Sequence, residues 1–409
     1  MSFDPAAFRA EFPIFRAPFD GPALHYLDSG ASAQVPQRVI DAVARHDSTA
    51  RANVKRGVHR LAEAATEAYE TARHAVAHYI NAPSPREVIF TSGTTGAINL
   101  VARAFGDGLA EGDEVLVSEL EHHSNIVPWQ LLQMRRGVRL GVIPVTPDGR
   151  LDLDGIEERI GPRTRLVAVA HCSNVTGAVT DLARIAAAAR ASGARVLVDG
   201  AQRAPHGPFD VAALDVDFYA FSGHKTFGPN GVGVLWGRAE LLEAMPPFLG
   251  GGEMISHVGF AGSSWAPIPA KFEAGTPPIA QAVGLGVALD WLAEQDWGAI
   301  LAHEMRLTGR ILDGLAALPG CRLLGPSGLQ QRLGVVSFAL EGLHPHDVCQ
   351  FVDATHGVAL RGGHHCAQPL MERFGLIGTV RASLAPYNDD SDVDALLDGL
   401  GEAIGHLRG

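Results

Sequence analysis

Residues 195–225 have the sequence RVLVDGAQRAPHGPFDVAALDVDFYAFSGHK. Two short apolar runs, residues 195–199 and 217–221, lie near its two ends, and such runs predict strands that are buried on both faces. Asp199 ends the first run, and Lys225 follows the second. Ligands bind at the carboxyl ends of the strands in an open parallel sheet, so we expect Asp199 and Lys225 to share one site.

The same alternation continues on both sides of this stretch. Further strands are predicted at residues 87–91, 114–118, 166–170 and 231–236. Helical periodicity lies between many of the strands, at residues 63–80, 125–136 and 181–192. Alternating strands and helices predict an α/β fold with a mostly parallel sheet that is sandwiched by helices.

The pattern changes near the triple glycine at residues 250–252. Beyond it, helices are predicted at residues 279–294, 300–317 and 392–407, and strands at residues 334–340 and 357–361. We therefore predict a large domain over residues 21–265 and a smaller α+β domain over residues 266–409. Residues 1–20 are assigned to the smaller domain, or to the seam between the two.

Composition and charge exclude several classes of protein. The chain has 409 residues and a formal net charge of −12, without a basic run, which disfavours binding to nucleic acid. Its four cysteines form no CxxC pair, so a reducing compartment is expected. No apolar stretch approaches the roughly 18 residues of a membrane span, and no export signal is visible at the N-terminus. We expect a cytoplasmic protein.

Polar side chains follow several of the predicted strands. The sequence SGTTG, residues 92–96, leads from a strand into a helix, where free N–H groups and the hydroxyls of Thr94 and Thr95 suit a phosphate. An ordinary turn with a helix cap is the alternative. His122 and Asn174 also follow strands and are candidate ligand-binding residues. The alternative for His122 is a solvated turn, and the alternative for Asn174 is a loop amide that bonds its own backbone.

Asp199 and Lys225 together indicate one cofactor. Buried lysines lower their pKa readily and form Schiff bases with aldehydes. An acid at one strand end and a lysine at the next are what pyridoxal 5'-phosphate requires, because the acid keeps the ring nitrogen protonated and the lysine bonds the aldehyde. The phosphate loop at Thr94 and Thr95 supplies the third element.

A second group of candidates lies in the sequence RGGHHCA, residues 361–367. Cys366 stands in a polar loop, whereas structural cysteines are usually buried in apolar runs. Nearby cationic groups would lower the pKa of its thiol and make it a nucleophile. The alternatives are an inert loop cysteine and a metal site formed with His364 and His365, although adjacent residues converge poorly on one ion.

Motifs along essentially the whole chain resemble the group II (Suf/Csd-type) cysteine desulfurases, in the class V aminotransferase family of fold-type I pyridoxal-phosphate enzymes. The motifs are LDSGASA (27–33), SGTTGAINLVA (92–102), EHHSNIVPW (121–129), SNVTG (173–177), VDGAQ (198–202), DFYAFSGHK (217–225), LGGGEM (249–254), FEAGTP (272–277), RGGHHCAQPLM (361–371) and RASLAPYN (381–388). Their length and order make the resemblance specific.

The resemblance implies a role for each matching residue. Lys225 bonds the cofactor and moves the α proton, His122 stacks on the ring, and Cys366 is the nucleophile. The implied cofactor-binding residues are Thr94, Thr95, His122, Asn174, Asp199, Gln202, Ser222, His224, Lys225 and Thr276, the last of them across a dimer interface. The implied substrate-binding residues are Arg381, which pairs with the carboxylate, and Arg361, Asn174 and Ala31.

The implied reaction converts L-cysteine to L-alanine and leaves a persulfide on Cys366. A homodimer is implied, as is an acceptor protein that takes the sulfur for iron–sulfur cluster or thio-cofactor assembly. A selenocysteine lyase is the nearest alternative, and a metal or iron–sulfur carrier that uses the His-His-Cys cluster is the alternative from another class. Lys55 and Gly96 depart from the family pattern, and Cys172 is expected to be structural.

Overall fold

The computed structural model describes residues 3–408. The strands are β1 (His25–Tyr26), β2 (Val88–Thr91), β3 (Glu114–Ser118), β4 (Arg139–Ile143), β5 (Thr164–Ala170), β6 (Arg195–Asp199), β7 (Phe218–Ser222), β8 (Gly233–Gly237), β9 (Ile255–Gly259), β10 (Gly262–Trp265), β11 (Cys321–Leu324), β12 (Val335–Leu340), β13 (Val358–Ala359), β14 (Arg361–Gly363) and β15 (Thr379–Ser383).

Helices cover both faces of the largest sheet that these strands form. They are α1 (Pro5–Ala10), α2 (Gln37–Thr49), α3 (Arg60–Tyr79), α4 (Thr94–Ala104), α5 (Val127–Arg136), α6 (Ile156–Arg159), α7 (Leu182–Ser192), α8 (Ala239–Ala244), α9 (Ile279–Ala293), α10 (Trp297–Ala317), α11 (Pro345–His356), α12 (Gln368–Phe374) and α13 (Asp390–Arg408). None of those within residues 3–408 is both long and apolar enough to cross a membrane.

The larger sheet has seven strands in the order β2-β8-β7-β6-β5-β3-β4. Strands β3 to β7 pair in parallel, and β8 runs antiparallel to both β2 and β7. Parallel neighbours need a crossover connection, and helices such as α7, between β5 and β6, supply it. The predicted α/β architecture with a mostly parallel sheet is confirmed.

Strand β5 shows why the sheet is covered on both faces. Successive side chains of a strand point to opposite faces. Val167 and Val169 belong to one hydrophobic core with α3, α7 and α9, whereas Leu166 and Ala168 belong to a second core with α4 and α5. A continuous apolar run is therefore required here, in place of the alternation of a half-exposed strand.

A second sheet has four antiparallel strands in the order β11-β12-β15-β14. Its core contains Ile311 of α10, Val352 of α11 and Leu400 of α13, all of them buried. The short strand β1 joins this half of the molecule through a parallel pairing with β13.

The domain boundary at residues 265/266 stays a prediction. Helix α9 lies beyond that boundary, yet Leu285 and Leu289 of α9 belong to the core of the seven-stranded sheet. This packing favours a boundary after α9. The N-terminal segment contacts both halves, because Phe8 stacks on Trp291 of α9 and Arg9 forms an ion pair with Asp392 of α13.

Several strands differ from the sequence-based expectation. Strands β1, β4, β11 and β15 and the hairpin β9–β10 were not predicted, and the run at residues 357–361 forms parts of two short strands, β13 and β14. Every residue of β10 is exposed, and β4 is only partly buried at the edge of the sheet. Strands without a continuous buried run lack the apolar signal on which the prediction depended.

Candidate active site

A cavity of about 190 Å³ lies at the carboxyl ends of β5, β6 and β7, between the two sheets. All of the predicted site residues except one line it: Ala31, Thr94, Thr95, His122, Asn174, Asp199, Gln202, Ser222, His224, Lys225, Arg361, Cys366 and Arg381. The exception, Thr276, is exposed outside the lining of the cavity. The structure thus brings together residues that are distant in sequence.

One end of the cavity is formed by the start of helix α4. Thr94 donates from its backbone nitrogen to Oγ of Ser222 at 2.9 Å, and the two hydroxyl oxygens are 2.7 Å apart. Gly93 precedes them with φ of 131°, and a Cβ on Gly233 would lie 2.4 Å from its Cα. The glycines let the backbone turn into a helix N-terminus lined with hydroxyls, an environment that suits a phosphate.

Asp199 and Lys225 lie at the ends of neighbouring parallel strands. Asp199 is buried, and its Oδ1 accepts a hydrogen bond from the backbone nitrogen of Ala201 at 2.9 Å. Burial raises the pKa of Asp199. Burial lowers the pKa of Lys225 to about 8, although the charge of Asp199 opposes that shift. A neutral amine is therefore more available at Lys225 than at an ordinary lysine.

The ring of His122 is a neutral aromatic wall of the cavity. Its Nδ1 accepts a hydrogen bond from the backbone nitrogen of Ser124 at 3.1 Å, so the neutral ring carries its proton on Nε2. Burial, followed by the charge of Lys225, lowers the pKa of His122 to about 4. A flat, uncharged ring of this kind can stack on an aromatic ligand.

Gln202 and His224 occupy the side of the cavity near Lys225. Gln202 donates from Nε2 to the carbonyl of Gly30 at 2.8 Å, which fixes the direction of its amide. His224 contacts Oγ of Ser32 through Nδ1 at 3.4 Å. Burial, and then the charge of Lys225, lowers the pKa of His224 to about 4.

The loop that carries Cys366 is held on two sides. Asn174 donates from Nδ2 to the carbonyl of His365 at 2.7 Å, and the backbone nitrogen of His123 donates to the carbonyl of Cys366 at 2.7 Å. His365 and Cys366 have φ of 54° and 56°, values that are costly for residues with a side chain. The surrounding bonds stabilise this conformation and keep the half-buried Cys366 against the cavity.

Arg381 is a buried residue of the cavity lining. Its Nη1 donates to the carbonyl of Asn174 at 3.0 Å, and its Nη2 donates to Oδ1 of Asp28 at 2.9 Å. Its Nε meets no acceptor within the part of the chain that the structure describes. A buried guanidinium with a free donor suits a planar anion such as a carboxylate.

The residues next to Cys366 do not converge on a common point. His365 is buried, and its Nε2 lies 2.8 Å from Oγ1 of Thr379, whereas His364 is exposed. Among residues 3–408, no group of three or more His, Cys, Asp or Glu side chains could hold a metal ion. This geometry gives the metal-carrier alternative no support.

Sequence reasoning gave no site role to several residues of the cavity or its rim, among them Asp28, Ser124 and Cys172. Asp28 and Ser124 belong to motifs that carry the resemblance, but each received no role. Cys172 was expected to be structural, and it is buried with its thiol 3.4 Å from the carbonyl of Gly177. It also lines the cavity, where burial raises its pKa to about 12.

The donors present match pyridoxal phosphate. A lysine with a lowered pKa, a buried carboxyl, a helix start with hydroxyls and a guanidinium whose Nε has no partner among residues 3–408 surround one cavity. On this α/β scaffold they define a fold-type I pyridoxal-phosphate enzyme.

Comparison with known proteins gives the family. The model of the aminotransferase class-V family matches residues 25–396, and the chain belongs to that family. A probable cysteine desulfurase of Streptomyces coelicolor is 49% identical over 403 residues, which cover 97% of this chain and 96% of the relative.

Solved structures agree with this assignment. The cysteine desulfurase CsdA of Escherichia coli, in its S-sulfonic acid form, superposes with a TM-score of 0.91 at 43% identity, covering 98% of this chain and 99% of that one. The apo cysteine desulfurase of Thermococcus onnurineus NA1 superposes with a TM-score of 0.93 at 38% identity, covering 99% and 100%. The predicted fold type is confirmed.

Proposed function

We propose that this protein is a pyridoxal-phosphate-dependent cysteine desulfurase that converts L-cysteine to L-alanine and receives the sulfur on Cys366. One observation carries the proposal: Cys366 lies against the same cavity as Lys225, Asp199 and Arg381. A pyridoxal-phosphate enzyme that acts only at the α carbon needs no such thiol. The names of relatives that align along almost the whole chain support the same activity.

Different residues of the cavity would bind different parts of the cofactor. Thr94, Thr95, Ser222 and His224 would hold the phosphate, Asp199 the ring nitrogen, His122 the ring face and Gln202 the phenolic oxygen. When bound, pyridoxal phosphate bonds to the amino group of an amino acid and withdraws electrons from its α carbon. The negative charge of Asp199 maintains that withdrawal, because it keeps the ring nitrogen protonated.

Lys225 is suited to move the α proton of L-cysteine. With its pKa lowered to about 8, Nζ exists in both forms near neutral pH, which favours proton transfer in either direction. Arg381 would orient the substrate through its carboxylate, with Nε, which has no acceptor in the described part of the chain, as one of the donors. Asn174 and Arg361 complete that side of the cavity.

Cys366 supplies the second covalent step. Its thiolate attacks the sulfur of the substrate, an S–S bond forms, and the C–S bond breaks. L-cysteine and the Cys366 thiol together give L-alanine and a Cys366 persulfide, so atoms and electrons balance without an external oxidant. The persulfide then passes its outer sulfur to an acceptor, for which we propose a protein partner in the cytoplasm.

A homodimer is part of the proposal. Thr276 is exposed on this chain and lies outside the lining of its cavity, and its proposed contact with a bound phosphate would come from a second copy. Sedimentation velocity of the holoenzyme should give twice the mass of one chain. A monomer with full activity would contradict the role of Thr276.

The activity is tested by measuring L-alanine and sulfide released from L-cysteine in the presence of a thiol reductant, with L-selenocysteine assayed in parallel. Equal amounts of the two products support the desulfurase, and a clear preference for L-selenocysteine would favour the lyase. The matched control is Lys225→Ala, which should lose the visible absorbance of the bound cofactor. A colourless wild-type protein with bound metal would contradict the proposal.

A further inference from the structure

Asp28 contacts both arginines of the substrate side. Its Oδ1 accepts from Nη2 of Arg381 at 2.9 Å, and its Oδ2 lies 3.9 Å from Nη1 of Arg361. Asp28 follows β1 and forms a parallel bridge with Ser383 of β15, so the backbone of the second sheet fixes its position. None of the roles implied by the resemblance falls on this carboxylate.

The two arginines need such a partner. Arg361 and Arg381 lie directly opposite each other on the antiparallel strands β14 and β15. Like charges at opposite positions of a sheet repel, and the Arg381 side chain is only 2% exposed, so water screens its charge weakly. The carboxylate of Asp28 offsets part of this positive charge.

Asp28 also fixes the direction of the Arg381 guanidinium. Asp28 holds Nη2 and the carbonyl of Asn174 holds Nη1, which leaves Nε as the buried nitrogen without an acceptor among residues 3–408. The edge that carries Nε is therefore the part of the guanidinium that remains for a ligand carboxylate.

We propose that Asp28 is a positioning residue that sets how tightly the site holds the carboxylate of its amino acid. It keeps the Nε edge of Arg381 directed at the ligand, and its charge weakens the attraction of the two arginines so that the product can leave. The identity of the ligand rests on the proposed function; the relationship between Asp28 and Arg381 does not.

Two substitutions separate the effect of Asp28 on the orientation of the Arg381 guanidinium from the effect of its negative charge. Asp28→Asn retains an oxygen that can accept from Nη2 but removes the charge, whereas Asp28→Ala removes both. L-alanine binding to the holoenzyme, measured by calorimetry, should tighten in Asp28→Asn by roughly threefold to tenfold. It should weaken in Asp28→Ala by at least about threefold, because Nη2 loses its partner. KM for L-cysteine should follow the same order with a smaller change in kcat.

Asp347→Asn is the matched control, because it removes an exposed carboxylate from α11 in the same half of the molecule, and it should bind L-alanine like the wild type. Unchanged L-alanine affinity in both Asp28 variants would overturn the proposal, and so would equal weakening in both. If Asp28→Ala does not fold, Asp28→Asn decides alone, with tightening as the supporting result.

If the wild-type enzyme forms no alanine from L-cysteine, the proposed function is wrong, and acetate then replaces L-alanine as the carboxylate probe. The same order of acetate affinity among the three proteins would still support the role of Asp28. Equal acetate affinities would overturn it.

Discussion

The side-chain amide of Asn174 donates a 2.7 Å hydrogen bond to the carbonyl of His365, the residue directly before Cys366. The backbone carbonyl of Asn174 accepts from Arg381. A single loop residue after β5 therefore holds both the proposed nucleophile and the proposed carboxylate-binding group in place.

Asn174→Ala should loosen the Cys366 loop. The carbonyl of His365 loses its donor, at a cost of about 1–3 kcal/mol, while the positive φ of His365 and Cys366 remains unfavourable. Alkylation of Cys366 by iodoacetamide should become several-fold faster. Asn81→Ala, which removes an exposed bond to Asp210, is the control, and an unchanged alkylation rate in Asn174→Ala would contradict this role.

Cys366→Ala should keep the visible absorbance of the bound cofactor and lose the release of alanine and sulfide by about 1,000-fold or more, as expected for a nucleophile. Cys172→Ala is the matched control inside the same cavity. Its thiol is buried with a raised pKa and points to a backbone carbonyl, so this variant should retain most of the activity. Full activity in Cys366→Ala would show that the nucleophile is assigned wrongly.

Cofactor binding to the apo protein should depend on pH through Lys225. With a pKa of about 8, roughly one amine in ten is neutral at pH 7, and nearly all are neutral above pH 9. The association rate, followed by visible absorbance, should rise about tenfold from pH 7 to 9 and then level off.

Asp199→Asn provides the check on that profile. Since the charge of Asp199 raises the pKa of Lys225, its removal should move the plateau to lower pH. A rate that keeps rising above pH 9 in the wild type would show that the amine has the pKa of an ordinary lysine.

Glu273→Gln should strongly destabilise the fold. Glu273 accepts from Nη1 of buried Arg73 at 2.7 Å and from the backbone nitrogen of Phe90 at 2.9 Å. Removing its charge leaves Arg73 buried without its main partner, which costs about 3–5 kcal/mol of unfolding free energy in urea.

Glu70→Gln removes the exposed partner of the same arginine and is the control. Because exposed ion pairs contribute little, this variant should lose about 1 kcal/mol or less. Similar losses of unfolding free energy in the two variants would show that the buried ion pair stabilises the fold no more than the exposed one.

The strands at the centre of the large sheet were the easiest part to predict. Strands β3 and β6 have the predicted bounds, Glu114–Ser118 and Arg195–Asp199, because strands buried on both faces need unbroken apolar runs. Strand β4 escaped prediction because an edge strand can carry polar and apolar residues without a simple order.

Site residues were predictable where a motif fixes their chemistry, as for Lys225 and Cys366. The role of Asp28 was not, because it depends on β14 and β15 bringing Arg361 and Arg381 opposite each other. Which residues lie opposite each other on two paired strands is decided only when the sheet forms. The amino-acid sequence alone therefore does not indicate that Arg361 and Arg381 are paired.

The antiparallel pairing of β7 and β8 has a consequence for the lysine. Ser222 and Gly233 lie directly opposite each other, and the backbone nitrogen of Gly223 donates to the carbonyl of Val232 at 2.9 Å, so the segment that carries Lys225 is clamped at both ends by adjacent strands. Its conformational entropy is already lost when the chain folds. Capture of an aldehyde by this amine therefore requires little further ordering.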